Sequence, residues 1–356
     1  MKENSLTELV RTLQDALNEM LLKDDKSEIE ICISKLKNVL NSIDAQSAND
    51  LKELQLWQRN LLQIEESRTT ERAKYYIKRF LKSFNETKVS KINDLNMNKW
   101  KMYDDIITDS IWVFDRRGNS GEHKASYWGN FIPQIPNQLI RRYTKEGDLV
   151  FDPFIGSGTT ALESLYLNRN CIGIDLSSKM VNEATEVINR VKDEFKSNVI
   201  TIQGDSTKAN FKDILEKNGF KNAQFSILHP PYWDIINFNG GTSDLSNATT
   251  LEEFIEMFQK VLTNVVSIME RKRYVAIVIG DRYLRGEWIP LGFYLMQSAM
   301  GIGLKLKSII VKNYSETRAK RNQKDLWRYR ALIGGFYVFK HEYIFLFQVP
   351  SLGKKQ

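Results

Sequence analysis

The stretch FDPFIGSGTT at residues 151–160 constrains the fold of this chain more than any other segment. It has the pattern of an apolar strand end that carries an acid, then a tight glycine turn, then threonines that begin a helix. Gly156 and Gly158 let the backbone turn sharply and approach a ligand without hindrance from a Cβ atom, beside the free N–H groups of a helix N-terminus. The string lacks the lysine of a phosphate loop, and Ala161 stands where a dinucleotide loop has its third glycine. It predicts a ligand-binding βα unit, with a plain strand–helix turn as the alternative.

From Leu149 onward, short apolar segments alternate with amphipathic ones, which is the pattern of βα units. We predict strands at 149–152, 171–175, 199–204, 224–229, 274–280, 306–312 and 342–348. We predict helices near 137–144, 159–168, 178–195, 208–218, 251–270 and 289–300. The expected fold class is α/β, a Rossmann-like, doubly wound sheet of seven strands.

The N-terminal region differs from the rest of the chain. Residues 1–92 contain no glycine or proline, and apolar residues recur at three- and four-residue steps, as in Leu6, Leu9 and Leu13. Further runs cover 29–43 and a stretch that begins after Asn49-Asp50 and continues towards Phe80. This predicts an all-helical domain at 1–92, a lead-in segment over the cofactor site at 93–148 and the α/β domain at 149–356. Packing, dimerisation and DNA contact remain open as roles of the helical domain.

The composition limits the class of protein. Hydrophobic residues make up 42% and charged residues 27%, as in globular proteins, and no apolar run reaches the roughly 18–20 residues of a membrane helix. The two cysteines, Cys32 and Cys171, lie far apart, which predicts a cytoplasmic protein, and the sequence predicts no metal site. The net charge of +7 is compatible with a nucleic-acid partner but does not require one.

Acidic residues end the second and third of these strands. Asp175 closes the strand CIGID, where a carboxylate can accept hydrogen bonds from the ribose hydroxyls of an adenosine-containing cofactor. Asp205 closes the next strand, where it can meet the adenine amino group. The alternative for both acids is the capping of the following helix, a role that Ser177 or Ser206 could fill equally well.

A second motif, HPPYW at 229–233, closes the fourth strand. Its two prolines lack N–H groups and fix φ, which gives a stiff backbone with outward carbonyl groups. Such carbonyls can accept hydrogen bonds from an amino group, while Tyr232 offers a ring face to an extruded base. Trp233 either stacks on DNA as well or packs within the protein.

Taken in this order, the two motifs resemble those of DNA methyltransferases that modify N6 of adenine or N4 of cytosine, and the resemblance covers about residues 125–350. It implies a class I methyltransferase sheet, S-adenosylmethionine as the cofactor and methyl transfer to an exocyclic amino group. The catalytic residues that it implies are His229, Pro230, Pro231 and Tyr232. The cofactor-binding residues that it implies are Asp152, Pro153, Phe154, Gly156, Ser157, Gly158, Thr159, Thr160, Asp175 and Asp205, with Phe131 and Pro133 from the preceding segment GNFIPQIP.

The sequence departs from this family's pattern in two respects. The catalytic loop usually begins with Asp, Asn or Ser, whose oxygen accepts a hydrogen bond from the target amino group, whereas His229 stands there. A neutral imidazole can accept one hydrogen bond, so activity is retained in principle, but the residue does not indicate which base is modified. Many relatives also carry the catalytic loop before the cofactor loop, and here it follows.

An insertion at 312–340 contains eight Lys/Arg and two acidic residues, interleaved with aromatic residues, between the last two strands. Basic residues contact phosphates and aromatic rings stack on bases, so we expect an extended loop that faces DNA. The alternative is a solvated basic loop with packed aromatic residues. The DNA-binding residues predicted are Arg318, Lys320, Arg321, Arg328, Arg330 and Trp233. Asp281, after the fifth strand, either shapes the pocket of the target base or caps a helix.

The sequence predicts a site-specific, S-adenosylmethionine-dependent DNA amino-methyltransferase that acts on double-stranded DNA. A restriction-modification or defence system, with a cognate restriction enzyme, is its expected context, and a homodimer through the N-terminal helices is a further expectation. Two alternatives are a methyltransferase that acts on an RNA base or a protein amide, and an inactive DNA-binding subunit in which His229 is the lesion.

Overall fold

A computed structural model describes residues 4–45, 47–123, 129–235, 241–284, 286–313 and 324–351. The chain divides into two compact units, Met1–Ile106 and Ile107–Gln356. No helix among the described residues is both long and apolar enough to cross a membrane.

The first unit consists of helices whose apolar faces share one core. They are α1 (Asn4–Leu21), α2 (Lys26–Asn41), α3 (Ala48–Glu65) and α4 (Thr70–Asn85), followed by a 3₁₀ turn at Met97–Met102. Leu13, Leu17, Trp57 and Phe80 are almost fully buried in that core. The single helix predicted to run from Asp50 towards Phe80 is in fact two helices, because the Thr69 side chain accepts a hydrogen bond from Arg72 N–H and starts α4.

The second unit is an α/β sheet between two helical layers. Its strands are β1 (Ile111–Trp112), β2 (Leu149–Asp152), β3 (Asn170–Asp175), β4 (Val199–Gln203), β5 (Ala223–Leu228), β6 (Met269–Ile279), β7 (Arg282–Leu284), β8 (Glu287–Ile289), β9 (Lys305–Asn313) and β10 (His341–Gln348). Its helices are α5 (Gln134–Tyr143), α6 (Thr159–Tyr166), α7 (Ser178–Asn189), α8 (Phe211–Lys217), α9 (Leu251–Ile268), α10 (Leu291–Gly301) and α11 (Lys324–Gly334). Successive residues of β2 alternate between the two layers: Phe151 packs towards α8 and α9, and Val150 packs towards α5 and α6.

The strand order is β1-β9-β10-β6-β5-β2-β3-β4, with β10 antiparallel to both of its neighbours. The predicted α/β, Rossmann-like fold with an all-helical N-terminal region is therefore confirmed. The predicted count of seven strands was one too low among the described residues, because Ile111 and Trp112 pair with Val311 and Lys312 at the sheet edge. The short hairpin of β7 and β8 was also not predicted.

This topology places a crevice between β2 and β5. The chain proceeds from β2 to β3 and β4 on one side of the sheet, and from β5 to β6 on the other. Adjacent loops at such a reversal leave in opposite directions, and ligands bind at the carboxyl ends of the strands there. FDPFIGSGTT follows β2 and HPPYW follows β5, so both motifs lie at this crevice.

Candidate active site

The loop after β2 is held in place by the end of β3. Ile155 N–H donates to the carbonyl of Ile174 at 2.9 Å, and Gly156 N–H donates to Oδ2 of Asp175 at 2.9 Å. Gly158 precedes α6 with a φ of +90°, and a Cβ atom built there would lie 3.0 Å from the Cβ of Ala184. Only glycine satisfies both the left-handed backbone and the close packing on α7.

Asp152 lies beneath this loop and is only 1% exposed. One carboxylate oxygen accepts a 2.8 Å hydrogen bond from Phe154 N–H. The other lies near the Thr160 hydroxyl and makes no full hydrogen bond within the part of the chain that the structure describes. Burial raises the pKa of Asp152 to about 7, so its carboxyl group is partly protonated at neutral pH.

The carboxylate of Asp175 joins two loops. Its Oδ2 accepts from Gly156 N–H, and its Oδ1 accepts from Ser177 N–H at 2.9 Å. Ser177, rather than Asp175, caps α7 through its side chain. Burial raises the pKa of Asp175, and these two backbone donors partly oppose that effect. Each oxygen retains a second lone pair, so a ribose hydroxyl can still be bound.

The Asp205 side chain binds the turn that directly follows it, and Asn210 rather than Asp205 caps helix α8. Its Oδ1 accepts from both the backbone N–H and the hydroxyl of Thr207, while Lys208 Nζ lies 3.1 Å from Oδ2. Burial raises the pKa of Asp205, but the hydrogen bonds from Thr207, Ser243 and Lys208 outweigh burial and the net pKa is lowered. The neighbouring Ser206 hydroxyl donates to the Pro153 carbonyl at 2.8 Å, which joins this turn to the loop after β2.

The lead-in segment contacts both motifs. Asn130 donates a hydrogen bond from Nδ2 to the Ser157 hydroxyl, and the ring of Phe131 packs perpendicular to His229 at 4.8 Å. Pro133 is buried at the start of α5. Residues 130 and 131 thus contact both the FDPFIGSGTT loop and the HPPYW loop.

The other loop residues differ in exposure. Pro153 is buried, and Phe154 and Ser157 are half-buried. Thr159 and Thr160 are only 5% and 1% exposed, so both threonines are packed inside the first turn of α6.

In the catalytic loop, Pro230 is buried, and His229, Pro231 and Tyr232 are half-buried. Nε2 of His229 lies 3.2 Å from the Tyr232 hydroxyl. The Tyr232 ring lies against Gly280 at the end of β6, where an added Cβ would come within 2.8 Å of it. Burial lowers the pKa of His229 to about 4, so the imidazole is neutral at neutral pH.

Two buried charged residues that connect to Tyr232 were not predicted from the sequence as part of the site. The Tyr232 hydroxyl donates a 2.8 Å hydrogen bond to Oε2 of Glu342, and Oε1 of Glu342 lies 2.9 Å from Nζ of Lys312. Glu342 and Lys312 are 3% and 5% exposed and face each other in the β9–β10 register. Lys312, which the sequence assigned to the basic insertion, is therefore a buried strand residue. The acid Glu342 directly before the apolar run YIFLF of β10 was the signal that could have revealed the pair.

Trp233 is 8% exposed and belongs to the hydrophobic core. Its Nε1–H donates to the Ala248 carbonyl at 2.8 Å, and the Arg282 guanidinium lies 4.8 Å from its ring centroid. This placement supports the packing alternative over stacking on DNA. Asp281 accepts hydrogen bonds from Trp288 Nε1–H and from Gly292 N–H in the first turn of α10, which supports the capping alternative.

The basic insertion contains helix α11, so the expectation of an extended loop was wrong for 324–334. Arg328 and Arg330 are exposed on this helix, with the Arg330 guanidinium 5.3 Å from the centroid of the Trp327 ring. Arg318, Lys320 and Arg321 lie outside the described residues.

The crevice fits the cofactor that the sequence implied. A bound S-adenosylmethionine supplies an electrophilic sulfonium methyl group. The half-buried Ser157 and the second lone pairs of Asp175 present hydrogen-bonding groups that such a molecule requires, Asp205 lies at the next strand end, and Asp152 supports the loop from below. Across the crevice, Pro230 and Pro231 carry carbonyl groups, and Tyr232 offers a ring face beside a neutral imidazole.

Comparison with known proteins gives an independent result. A family model described as DNA methylase matches residues 4–186, slightly more than half of the 356-residue chain. The matched part includes FDPFIGSGTT and ends before HPPYW.

Curated relatives match shorter stretches. Type II methyltransferase M.BglI of Bacillus subtilis is 33% identical over 109 residues, which are 29% of this chain and 29% of that protein. Type II methyltransferase M1.MboII of Moraxella bovis is 44% identical over 91 residues, covering 23% of this chain and 34% of that protein. Type II methyltransferase M.MjaII of Methanocaldococcus jannaschii is 45% identical over 51 residues, covering 14% of this chain and 10% of that protein. The chain thus matches about a third or less of the length of these relatives. The family match confirms the methyltransferase resemblance and S-adenosylmethionine as the cofactor, and the chain belongs to the DNA methylase family of N6 and N4 methyltransferases.

Proposed function

We propose that this protein transfers the methyl group of S-adenosylmethionine to the exocyclic amino group of adenine (N6) or cytosine (N4) at a specific site in double-stranded DNA. The observation that carries this proposal is the placement of the cofactor loop after β2 and of HPPYW after β5, on either side of the reversal in strand order. Membership in the DNA methylase family and the Type II relatives support the choice of DNA.

We propose the following roles for the residues around the cofactor. Gly156, Ser157 and Gly158 hold the methionine end of the cofactor, while Asp175 binds its ribose and Asp205 meets its adenine. Phe131 and Pro133 wall the methionine end, and Pro153, Phe154, Thr159 and Thr160 shape the loop beneath it, with Asp152 buried below.

At the catalytic loop, the Pro230 and Pro231 carbonyls accept hydrogen bonds from the target amino group. The Tyr232 ring stacks on the extruded base. No residue needs to act as a strong base, because aligned acceptors orient the nitrogen lone pair for in-line transfer.

For DNA binding we propose Arg328 and Arg330 of α11, together with Arg318, Lys320 and Arg321. Exposed guanidinium groups neutralise phosphates and can read guanine edges. The Type II names of the relatives support a restriction-modification context in the cytoplasm, with a cognate restriction enzyme as partner. A homodimer through the N-terminal helices belongs to the same proposal.

The test is transfer of a radiolabelled methyl group from S-adenosylmethionine to separate pools of double-stranded DNA, RNA and protein. We expect label in the DNA pool alone, and its loss in the Tyr232→Ala variant. Label only in RNA or protein would refute the DNA assignment. Cofactor binding by calorimetry without transfer to any pool would indicate an inactive DNA-binding subunit.

A further inference from the structure

Four polar groups form a continuous chain inside the α/β unit. Nζ of Lys312 lies 2.9 Å from Oε1 of Glu342, the Tyr232 hydroxyl bonds to Oε2 of Glu342 at 2.8 Å, and the same hydroxyl lies 3.2 Å from Nε2 of His229. We infer that this chain fixes the tautomer of His229: Nε2 carries the proton, and Nδ1 keeps the lone pair that accepts a hydrogen bond from the target amino group. The inference rests on the proposed function for the role of that lone pair.

The direction of the chain is set at Glu342. Burial raises the pKa of this carboxyl group, but the charge of the Lys312 ammonium and the hydrogen bonds from Lys312 and Tyr232 oppose burial, and the net pKa is lowered. An ionised carboxylate can only accept hydrogen bonds, so the Tyr232 hydroxyl donates its one proton to Glu342. The Tyr232 oxygen can then only accept from His229, which places the imidazole proton on Nε2.

The charge of His229 completes the argument. Burial lowers its pKa to about 4, Glu342 opposes that effect, and Lys312 reinforces it, so the ring has a single N–H at neutral pH. With that proton on Nε2, Nδ1 has an open lone pair. Among the residues that the structure describes, Nδ1 has no hydrogen-bond partner, and this atom is not fully buried. The perpendicular Phe131 ring at 4.8 Å limits rotation of the imidazole.

This arrangement explains how a histidine can occupy a position where the family carries Asp, Asn or Ser. A protonated imidazole, or one with the proton on Nδ1, would place the Nδ1–H group against the N–H group of the target, and neither could accept a hydrogen bond. The neutral Nε2–H form presents an acceptor, as an Asn oxygen would. Glu342 and Lys312 are positioning residues, because they act on the target only through Tyr232 and His229.

The test is ¹⁵N NMR of the full chain labelled at its histidines, recorded at neutral pH without DNA. Long-range ¹H–¹⁵N correlations distinguish a protonated ring nitrogen from a bare one, and the chain has only three histidines. Loss of one set of signals in His229→Asn assigns the residue. We expect a single tautomer, with Nε2 protonated and Nδ1 bare.

Tyr232→Phe keeps the ring and removes the hydroxyl, and Glu342→Gln removes the carboxylate charge. In both variants we expect the two His229 nitrogen shifts to move towards each other as the tautomers mix. The matched control is Tyr343→Phe, which removes the hydroxyl that lies 3.0 Å from Nε2 of His341 and should leave His229 unchanged.

A proton on Nδ1 in the unmodified protein would overturn the inference. So would wild-type His229 shifts in both Tyr232→Phe and Glu342→Gln. The NMR readout does not require methyl transfer, so it separates failure of this inference from failure of the proposed function.

Discussion

The variant Lys312→Met tests how strongly the buried ion pair supports the active site. Lys312 and Glu342 are 5% and 3% exposed, and their charged atoms are 2.9 Å apart. Removal of one partner from a buried pair leaves an uncompensated charge and costs about 3–5 kcal/mol of unfolding free energy. The exposed pair Arg190–Glu122, at 2.7 Å, is the matched control, and Arg190→Met should cost about 1 kcal/mol or less.

The pH dependence of stability should also change sign. In the unmodified protein the pKa of Glu342 is lowered, so its contribution to stability is present above its ordinary value of 4.5 and is lost as the pH falls below it. Without Lys312, burial becomes the dominant effect and raises that pKa. The stability of Lys312→Met should therefore fall as the pH rises through the raised pKa. Urea unfolding of the α/β unit at a series of pH values measures both effects.

A double variant separates stability from function. Lys312→Met with Glu342→Leu replaces the pair by apolar residues of similar volume, which should restore unfolding free energy to within about 1 kcal/mol of the unmodified protein. It also removes the acceptor of the Tyr232 hydroxyl, so methyl transfer should remain low. A cost below about 1 kcal/mol for Lys312→Met, or recovery of methyl transfer in the double variant, would refute this reasoning.

Three further predictions concern the cofactor loop, its buried acid and the basic helix. Gly158→Ala should abolish S-adenosylhomocysteine binding in calorimetry. Gly303→Ala is the control: its φ of +91° matches, but an added Cβ there meets no neighbouring atom, so the variant should lose only about 1–2 kcal/mol through backbone strain and bind normally. Burial raises the pKa of Asp152 from 3.8 to about 7, so the stability of the unmodified protein should fall as the pH rises from about 4 to 7. Asp152→Asn should remove this fall, and an unchanged pH profile of unfolding would contradict the prediction. Arg328→Ala should reduce the salt dependence of DNA affinity by about one counterion. An equal effect of Arg271→Ala, an exposed residue near the start of β6 and so at the opposite end of the strands, would count against a DNA-binding α11.

The sequence predicted the parts of this molecule that depend on local pattern. All seven predicted strands are present within one or two residues, except that β6 begins at Met269 instead of near 274. Alternating apolar segments, and glycines that end a strand, act over a few residues and therefore appear in the sequence. The position of FDPFIGSGTT after β2 and of HPPYW after β5 follows from the same local signals.

Features that depend on contacts between distant segments could not be predicted in this way. The strand β1 has only two residues and exists because Ile111 pairs with Val311 across the sheet edge. Glu342 acquires its role only when β10 lies against β9 and brings Lys312 opposite it. Trp233 was left open between stacking and packing, because its burial depends on Ala248 and Arg282, which are remote in the chain.

The most direct test of the proposed function is nucleoside mass spectrometry of genomic DNA from a methylation-free bacterial host that expresses this chain. We predict N6-methyladenine or N4-methylcytosine in DNA from cells with the unmodified protein, confined to one sequence context by long-read sequencing. Cells with the Tyr232→Ala variant at equal protein level should contain neither base. No methylated base, or only 5-methylcytosine, with the folded protein present would contradict the proposal that this site methylates an exocyclic amino group of DNA.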